Sequence, residues 1–187
     1  VGEWMELPLW LADAALAAGE RKDGYDRWYV PQLAYTTGDI DIHDVAVDAA
    51  GEPVFVSTLY SCVARPDPRV SFRPIWRPPF VSRYAAEDRC HLNGLAMRDG
   101  KPAYATCVGR SDANEGWREH RANGGLLLDI ASGEVVCSGL SMPHSPRWYR
   151  GKLWVCESGA GTLATVDPAT GRRGVVAELP GFTRGLD

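Results

Sequence analysis

The middle of the chain reads Asn93-Gly94-Leu95-Ala96-Met97-Arg98, then the turn Asp99-Gly100, and then Pro102-Ala103-Tyr104-Ala105-Thr106-Cys107. Each half alternates small or β-branched residues with polar ones, which predicts two short antiparallel strands joined by a hairpin. The same arrangement occurs at residues 43–48 with 53–58 and at residues 144–148 with 152–157. The sequence is therefore built from a repeated unit of paired strands.

The spacing of the repeats indicates the architecture. Successive copies begin roughly 40 to 50 residues apart, which is the length of a β-propeller blade. The outer half of the unit also repeats, because residues 125–136 match residues 161–172, and the Asp and Gly of these segments predict a second hairpin. We therefore predict an all-β fold, a β-propeller with about three blades of four antiparallel strands and part of a preceding blade.

The repeats also divide the chain. We expect residues 1–40 to be the end of a preceding blade, with a last strand at residues 28–30, and residues 182–187 to begin the next blade. Three blades alone would leave long strand edges unpaired, so we expect a longer parent protein. The expected blades lie at residues 41–80, at residues 81–141 with an insertion near residues 109–123, and at residues 142–181.

Composition limits the partners. The chain has 187 residues, 45% of them hydrophobic and 24% charged, with a formal net charge of -4, as in ordinary globular proteins. Its basic residues are scattered, and no apolar run approaches the roughly 20 residues of a membrane helix, so we predict neither a nucleic-acid nor a membrane partner. Five cysteines without a C-x-x-C pair suggest free thiols in a reducing, cytoplasmic compartment.

Five longer strings carry a family resemblance: GDIDIHD (38–44), WRPPF (76–80), EDRCHLNGLA (87–96), LSMPHSPR (140–147) and PGFTRGL (180–186). Together they resemble the bacterial DUF4915 family, whose function is unknown, over essentially the whole chain. The resemblance implies a longer protein of which this is the central part. Residues 44–48 and 93–96 are more distantly similar to six-bladed propellers of the gluconolactonase, strictosidine synthase and NHL kind, which implies six blades in the parent.

Three histidines fall at equivalent places in the repeats. His43 and His144 each begin a repeat, and His91 lies two residues before Asn93, which begins the repeat between them. The first strand of each propeller blade lines the central channel, so we expect these side chains to converge near the axis. Three neutral imidazoles are typical of an open catalytic metal site, which predicts a divalent metal (zinc, iron or calcium) and no nucleotide cofactor.

Neighbouring carboxylates fit the same interpretation. We expect Asp41, Asp44 and Asp88 to accept hydrogen bonds from the imidazole N–H groups, as the partners of metal ligands usually do. Two alternatives remain open for the histidines. They could form a polar network that holds neighbouring blades together, or they could bind a ligand or transfer protons without a metal.

Other side chains are candidates for ligand binding. The insertion near residues 109–123 could form a wall above the channel, or it could be a solvated surface loop. Two arginines near the starts of inner strands could hold a carboxylate or phosphate, or could form salt bridges between blades. The predicted ligand-binding residues are Asn93, Trp117, Arg118, His120, Arg147 and Arg184.

These features favour one function over another. We expect a metal-dependent enzyme, either a hydrolase, a lyase or an oxygenase, which acts on a small polar or anionic molecule at the central channel. The alternative is a propeller without catalytic activity that binds a small ligand or a partner protein. The sequence contains no P-loop, dinucleotide fingerprint, nucleophile elbow or H-E-x-x-H motif.

Overall fold

A computed structural model describes residues 6–12 and 29–186 of the chain. Within these residues the protein is almost entirely β-structure, and it contains one short 3₁₀ helix, Gly116–His120. Strands β1 (Glu6–Ala12) and β2 (Tyr29–Thr36) pair antiparallel as a two-stranded sheet. The strand predicted at residues 28–30 coincides with the beginning of β2, except for Trp28, which lies outside the described residues.

Three four-stranded antiparallel sheets follow, and each is a meander of four consecutive strands. The first contains β3 (Ile42–Val47), β4 (Pro53–Ser57), β5 (Cys62–Arg65) and β6 (Arg73–Trp76). The second contains β7 (Leu92–Arg98), β8 (Lys101–Cys107), β9 (Gly125–Asp129) and β10 (Val135–Leu140). The third contains β11 (Pro143–Tyr149), β12 (Lys152–Glu157), β13 (Thr162–Val166) and β14 (Arg173–Glu178). These sheets confirm the prediction of propeller blades.

Local sequence determines the tight turns between the first two strands of two blades. Asp99 and Gly100 have φ angles of 52° and 70°, and Arg150 and Gly151 have φ angles of 48° and 73°. A two-residue hairpin of this kind needs positive φ at both positions, and glycine adopts it without steric cost. Each turn therefore sets the register between the inner strand and its neighbour.

The core lies between adjacent sheets. Side chains of β4 and β5 pack against those of β7 and β8, and side chains of β9 and β10 pack against those of β12 and β13. The five cysteines are unpaired and buried. Full burial of one large aliphatic side chain contributes about 1.5–3 kcal/mol, so packing between blades stabilises the fold. Among the described residues, no helix is long and apolar enough to cross a membrane.

Candidate functional site at the propeller axis

The three histidines lie at the starts of the innermost strands. His43 is in β3, His144 is in β11, and His91 immediately precedes β7. The ring centroids of His43 and His91 are 4.9 Å apart, with the ring planes at 76°. His144 lies near enough for both of these rings and Arg184 to affect its pKa. The fold therefore brings together three histidines that are about 50 residues apart in sequence.

The tautomer of His43 follows from its partner. The ring Nδ1 lies 2.8 Å from the hydroxyl oxygen of Thr58, and that hydroxyl donates its proton to the Leu92 carbonyl at 2.5 Å. A hydroxyl has only one proton to donate, so the Thr58 oxygen must accept a hydrogen bond from Nδ1–H of His43. The neutral ring then carries its lone pair on Nε2.

The tautomer of His144 also follows from its hydrogen-bond partners. Its Nδ1 lies 2.9 Å from the Met142 carbonyl and 2.9 Å from the hydroxyl of Ser158, which itself donates to the Thr183 carbonyl. Both partners can only accept from Nδ1–H, so Nε2 again carries the lone pair. The side chain is 3% exposed, and this burial lowers the pKa of His144 to about 4. The ring is therefore neutral at neutral pH.

His91 has a carboxylate as its partner. Nδ1 lies 2.9 Å from Oδ2 of Asp88, and the indole N–H of Trp117 donates to the same oxygen at 2.7 Å. The Trp117 ring lies over the imidazole, with centroids 4.1 Å apart and an interplanar angle of 32°. Oδ1 of Asp88 is buried and has no partner among the described residues. The sequence predicted that Asp88 accepts a hydrogen bond from an imidazole N–H. Trp117 belongs to the insertion, so the insertion contacts His91 directly.

The loops that enter the first two blades have strained backbone at the site. Asp41, Asp88 and His91 have φ angles of 52°, 41° and 51°, in a region that non-glycine residues rarely occupy. Such residues cost about 1 kcal/mol each or more, and they concentrate at functional sites. Oδ1 of Asp41 lies 3.2 Å from Nδ1 of His43, and this contact lowers the pKa of Asp41. Asp41 is thus an ionised neighbour of the histidines.

Two of the predicted ligand-binding residues, Asn93 and Arg184, have polar groups available. Asn93 is 1% exposed, and its amide oxygen accepts a hydrogen bond from the Thr106 hydroxyl at 2.9 Å. The amide nitrogen of Asn93 is buried without a partner in the described part of the chain. Arg184 is exposed, and its charge acts on both Asp41 and His144. It forms no ion pair within residues 29–186.

Arg147 and Asp44 have a different role from the one that sequence suggested. The guanidinium of Arg147 forms a bidentate ion pair with Asp44, with N–O distances of 2.9 and 3.1 Å, and the backbone N–H of Leu95 also donates to Asp44 at 2.9 Å. Arg147 is therefore a salt bridge between blades, and its guanidinium is already occupied. Asp44 accepts no hydrogen bond from an imidazole, because its oxygens face Arg147 and Leu95.

Arg118 and His120 do not join the axial cluster. Arg118 pairs with Glu115, and its guanidinium carbon lies 4.8 Å from the centre of the Trp117 ring. His120 is exposed, and its backbone carbonyl accepts a hydrogen bond from Gly124. Neither side chain forms a hydrogen bond with the three axial histidines. Of the insertion residues predicted to bind a ligand, only Trp117 contacts one of them.

The donor set has the chemistry of a metal site but does not enclose an ion. In their neutral form, three imidazoles with bound Nδ1–H groups present Nε2 lone pairs, which zinc and iron accept as ligands. However, in the part of the chain that the structure describes, no group of three His, Cys, Asp or Glu side chains is arranged to hold one metal ion. The metal centre predicted from sequence therefore stays a prediction.

Thr58 and Ser158 are functional neighbours that sequence reasoning missed. They lie 15 and 14 residues after the histidines they hold, at the end of the second strand of their blades. In the second blade, Asn93 takes the place of the histidine and Val108 the place of the hydroxyl. This joint replacement of histidine and hydroxyl in one repeat was a signal available in the sequence.

The fold and these side chains define a β-propeller with a cluster of histidines near its axis. The family described as "Domain of unknown function (DUF4915)" matches residues 5–187. The chain therefore belongs to the DUF4915 family. No curated protein matches the sequence.

Several solved structures are similar in fold. Virginiamycin B lyase from Staphylococcus aureus is 11% identical, with a TM-score of 0.44 over 79% of this chain and 45% of the lyase. A catalytically inactive variant of that lyase with quinupristin is 10% identical, with a TM-score of 0.45 over 82% of this chain and 45% of the other. A streptogramin B lyase is 12% identical, with a TM-score of 0.44 over 76% and 43%. The chain spans less than half the length of these proteins.

Proposed function

We propose that the axial histidine cluster is the active site of an enzyme that acts on a small polar or anionic molecule, with His91 as the proton acceptor. The observation that carries this proposal is the hydrogen bond from Nδ1 of His91 to Asp88 at 2.9 Å. It leaves the lone pair of His91 on Nε2, and the carboxylate stabilises the imidazolium that forms when Nε2 takes a proton.

The surrounding groups favour a particular kind of substrate. The Nε2 atoms of His43 and His144 are hydrogen-bond acceptors, so they suit hydroxyl or N–H groups of a ligand. Arg184 supplies a positive charge that acts on His144, and the amide of Asn93 supplies a donor without a partner among the described residues. A small molecule with hydroxyl groups and one carboxylate or phosphate would match all of these groups.

The proposed chemical step is a proton transfer. A proton leaves an O–H, N–H or acidic C–H bond of the substrate and binds to Nε2 of His91, and the bonding electrons remain on the substrate atom. General-base catalysis of this kind contributes roughly 10²–10⁴-fold to a rate. The product of this step could then eliminate a leaving group or react with a second substrate.

The experiment is a screen in D₂O. The full-length protein is incubated with a panel of small hydroxycarboxylates, amino acids and sugar phosphates, and ¹H NMR detects loss of substrate signals or new product signals. We expect His91→Ala to lower the rate about 100-fold or more and Arg184→Gln to raise KM. A panel member that is converted equally well by His91→Ala would refute the proposal. Ligands that bind without conversion would support the alternative, a binding propeller.

A metal-dependent version of this enzyme is the second candidate. Two observations support it. The Nδ1 atom of each histidine has a hydrogen-bond acceptor, and the ring centroids of His43 and His91 are 4.9 Å apart. The ion would act as a Lewis acid or activate water. Imidazole ligands favour zinc or iron over calcium.

Elemental analysis tests the second candidate. The full-length protein is purified without chelators and is then dialysed against zinc, iron(II) or calcium in turn. Stoichiometric metal in the protein that is absent from His91→Ala would support a metal-dependent enzyme. A protein that remains free of metal, while its conversion of a substrate still depends on His91, would exclude it.

A further inference from the structure

The insertion in the second blade is attached to the axial site at several points. It lies between β8 and β9 and contains the helix Gly116–His120, in which Trp117 is 6% exposed. The corresponding connections of the other two blades are short turns, Thr58–Ser61 and Ser158–Gly161. Trp117 packs on His91, with ring centroids 4.1 Å apart, and the guanidinium carbons of Arg118 and Arg121 lie 4.8 and 5.1 Å from the centre of the indole ring.

Asp88 connects the insertion to the histidine. A carboxylate oxygen can accept two hydrogen bonds, and Oδ2 of Asp88 accepts one from Nδ1 of His91 and one from the indole N–H of Trp117. His43 and His144 have hydroxyl partners from their own blades. His91 is thus the histidine whose orientation depends on both a carboxylate and a side chain from a separate loop.

The base of the insertion is anchored to the loop that carries Asp88. The buried guanidinium of Arg89 pairs with Asp112 of the insertion and with Glu87 at 2.7 Å. The backbone N–H of Ser82 donates to Asp112 at 2.9 Å, and the backbone N–H of Glu115 donates to the Glu87 carbonyl at 2.9 Å. The two loops are therefore one connected structure, which does not resemble a freely moving cover.

We propose that the insertion is a support for His91, in which Trp117 and Asp88 are positioning residues that fix the ring plane and the Nδ1–H tautomer. The positive φ angles of Asp88 and His91 fit this role, because strained residues persist only where surrounding contacts hold them. This proposal deepens the proposed function and rests on it for the role of His91. Its test measures His91 directly and needs no substrate.

The experiment compares variants by NMR and by chemical reactivity. Long-range ¹H–¹⁵N spectra of the full-length protein labelled at histidine report the tautomer of each ring. Diethyl pyrocarbonate, which reacts with unprotonated imidazole nitrogen, is followed by mass spectrometry of the peptide that contains His91. The variants are Trp117→Phe, which keeps an aromatic ring but loses the N–H, and Asp88→Ala, which removes the acceptor. Glu119→Gln is the exposed control in the same helix.

We expect His91 in the natural protein to be the Nδ1–H tautomer. Asp88→Ala removes the acceptor of the Nδ1–H group, so it should give a mixture of tautomers and lower the reaction rate of His91 about tenfold, a loss typical when the partner of a functional histidine is removed. Trp117→Phe should keep the Nδ1–H tautomer, because Oδ2 of Asp88 still accepts from it, but should alter the ¹⁵N shifts and the reaction rate of His91, because the carboxylate loses its second donor. His43 and His144 should remain unchanged in both variants. Circular dichroism checks that each variant is folded, and Trp117→Phe suffices if Asp88→Ala is not.

Unchanged ¹⁵N shifts and an unchanged reaction rate at His91 in Trp117→Phe would overturn the proposal. The two proposals can fail separately. If both variants change His91 as expected but no substrate conversion depends on His91, the positioning role of the insertion is upheld and the proposed enzymatic function is refuted. If conversion depends on His91 while Trp117→Phe alters neither the ¹⁵N shifts nor the reaction rate, the enzymatic function is upheld and the insertion has no positioning role.

Discussion

The carboxylate of Asp44 joins the innermost strands of three consecutive blades, and its replacement by Asn should destabilise the protein. Asp44 lies in β3, it accepts the backbone N–H of Leu95 from β7 at 2.9 Å, and it pairs with Arg147 from β11 at 2.9 and 3.1 Å. Asp44→Asn conserves the volume of the side chain, so no cavity forms. It removes the negative charge and, in either orientation of the amide, places an NH₂ group against two of the four donors, because the backbone N–H of Val45 also donates to Asp44 at 3.0 Å.

The expected loss follows from these contacts. A hydrogen bond that involves a charged group contributes about 1.5–3 kcal/mol, and a buried charge that loses its partner costs more. The side chain of Asp44 is 9% exposed, whereas that of Arg147 is 28% exposed, so water can solvate part of the released guanidinium. We therefore expect Asp44→Asn to lower the free energy of unfolding by about 2 kcal/mol.

Urea denaturation of the full-length protein measures this loss, and a double-mutant cycle with Arg147→Met isolates the ion pair. We expect a coupling energy of about 1–2 kcal/mol, within the range for residues in direct contact. Asp99→Asn is the matched control, because the side chain of Asp99 is 90% exposed, and it should change stability by less than about 0.5 kcal/mol. If Asp44→Asn and Asp99→Asn lower the free energy of unfolding by equally small amounts, Asp44 does not link the three blades as the structure suggests.

Two further predictions concern stability. The pKa of His144 is lowered to about 4 in the folded protein, so the unfolded chain binds more protons between about pH 6.5 and pH 4, and stability falls as the pH decreases through this range. Urea denaturation should show that lowering the pH from 7 to 5 costs the natural protein about 2 kcal/mol more than His144→Asn, and equal losses would contradict the buried neutral ring. A Cβ at Gly94 would overlap Pro146 and the Thr106 hydroxyl, so Gly94→Ala should cost about 1–3 kcal/mol. Gly174→Ala, where the nearest atom is 3.9 Å away, should be nearly neutral by the same measurement, and similar values for both variants would argue against close packing of β7 on β11.

The strands and the position of the histidines were predictable from the sequence because they depend on local pattern. Alternation of residue types indicates strands, and the hairpin signals recur at the spacing of blades. Histidines at the starts of the inner strands then meet as a consequence of the fold. The 4.9 Å separation of His43 and His91 follows from this repetition rather than from contacts between the two segments in sequence.

The partners of these side chains were harder to predict. Asp44 follows His43 directly, but successive side chains of a strand point to opposite sides, so proximity in sequence did not place the carboxylate beside the ring. Arg147 is 103 residues from Asp44, and only the packing of three blades makes them neighbours. The contact of Trp117 with His91 depends on an irregular loop whose path no periodic pattern describes.

The shared carboxylate of Asp44 has a consequence for how such a protein can change in evolution or in engineering. Repeat proteins often gain, lose or exchange single units, because each unit contacts only its immediate neighbours. Here one acidic group satisfies donors from the two units that follow its own. Deletion or replacement of the middle unit would separate the acid from its guanidinium, so recombination is expected to preserve these three units together as a block.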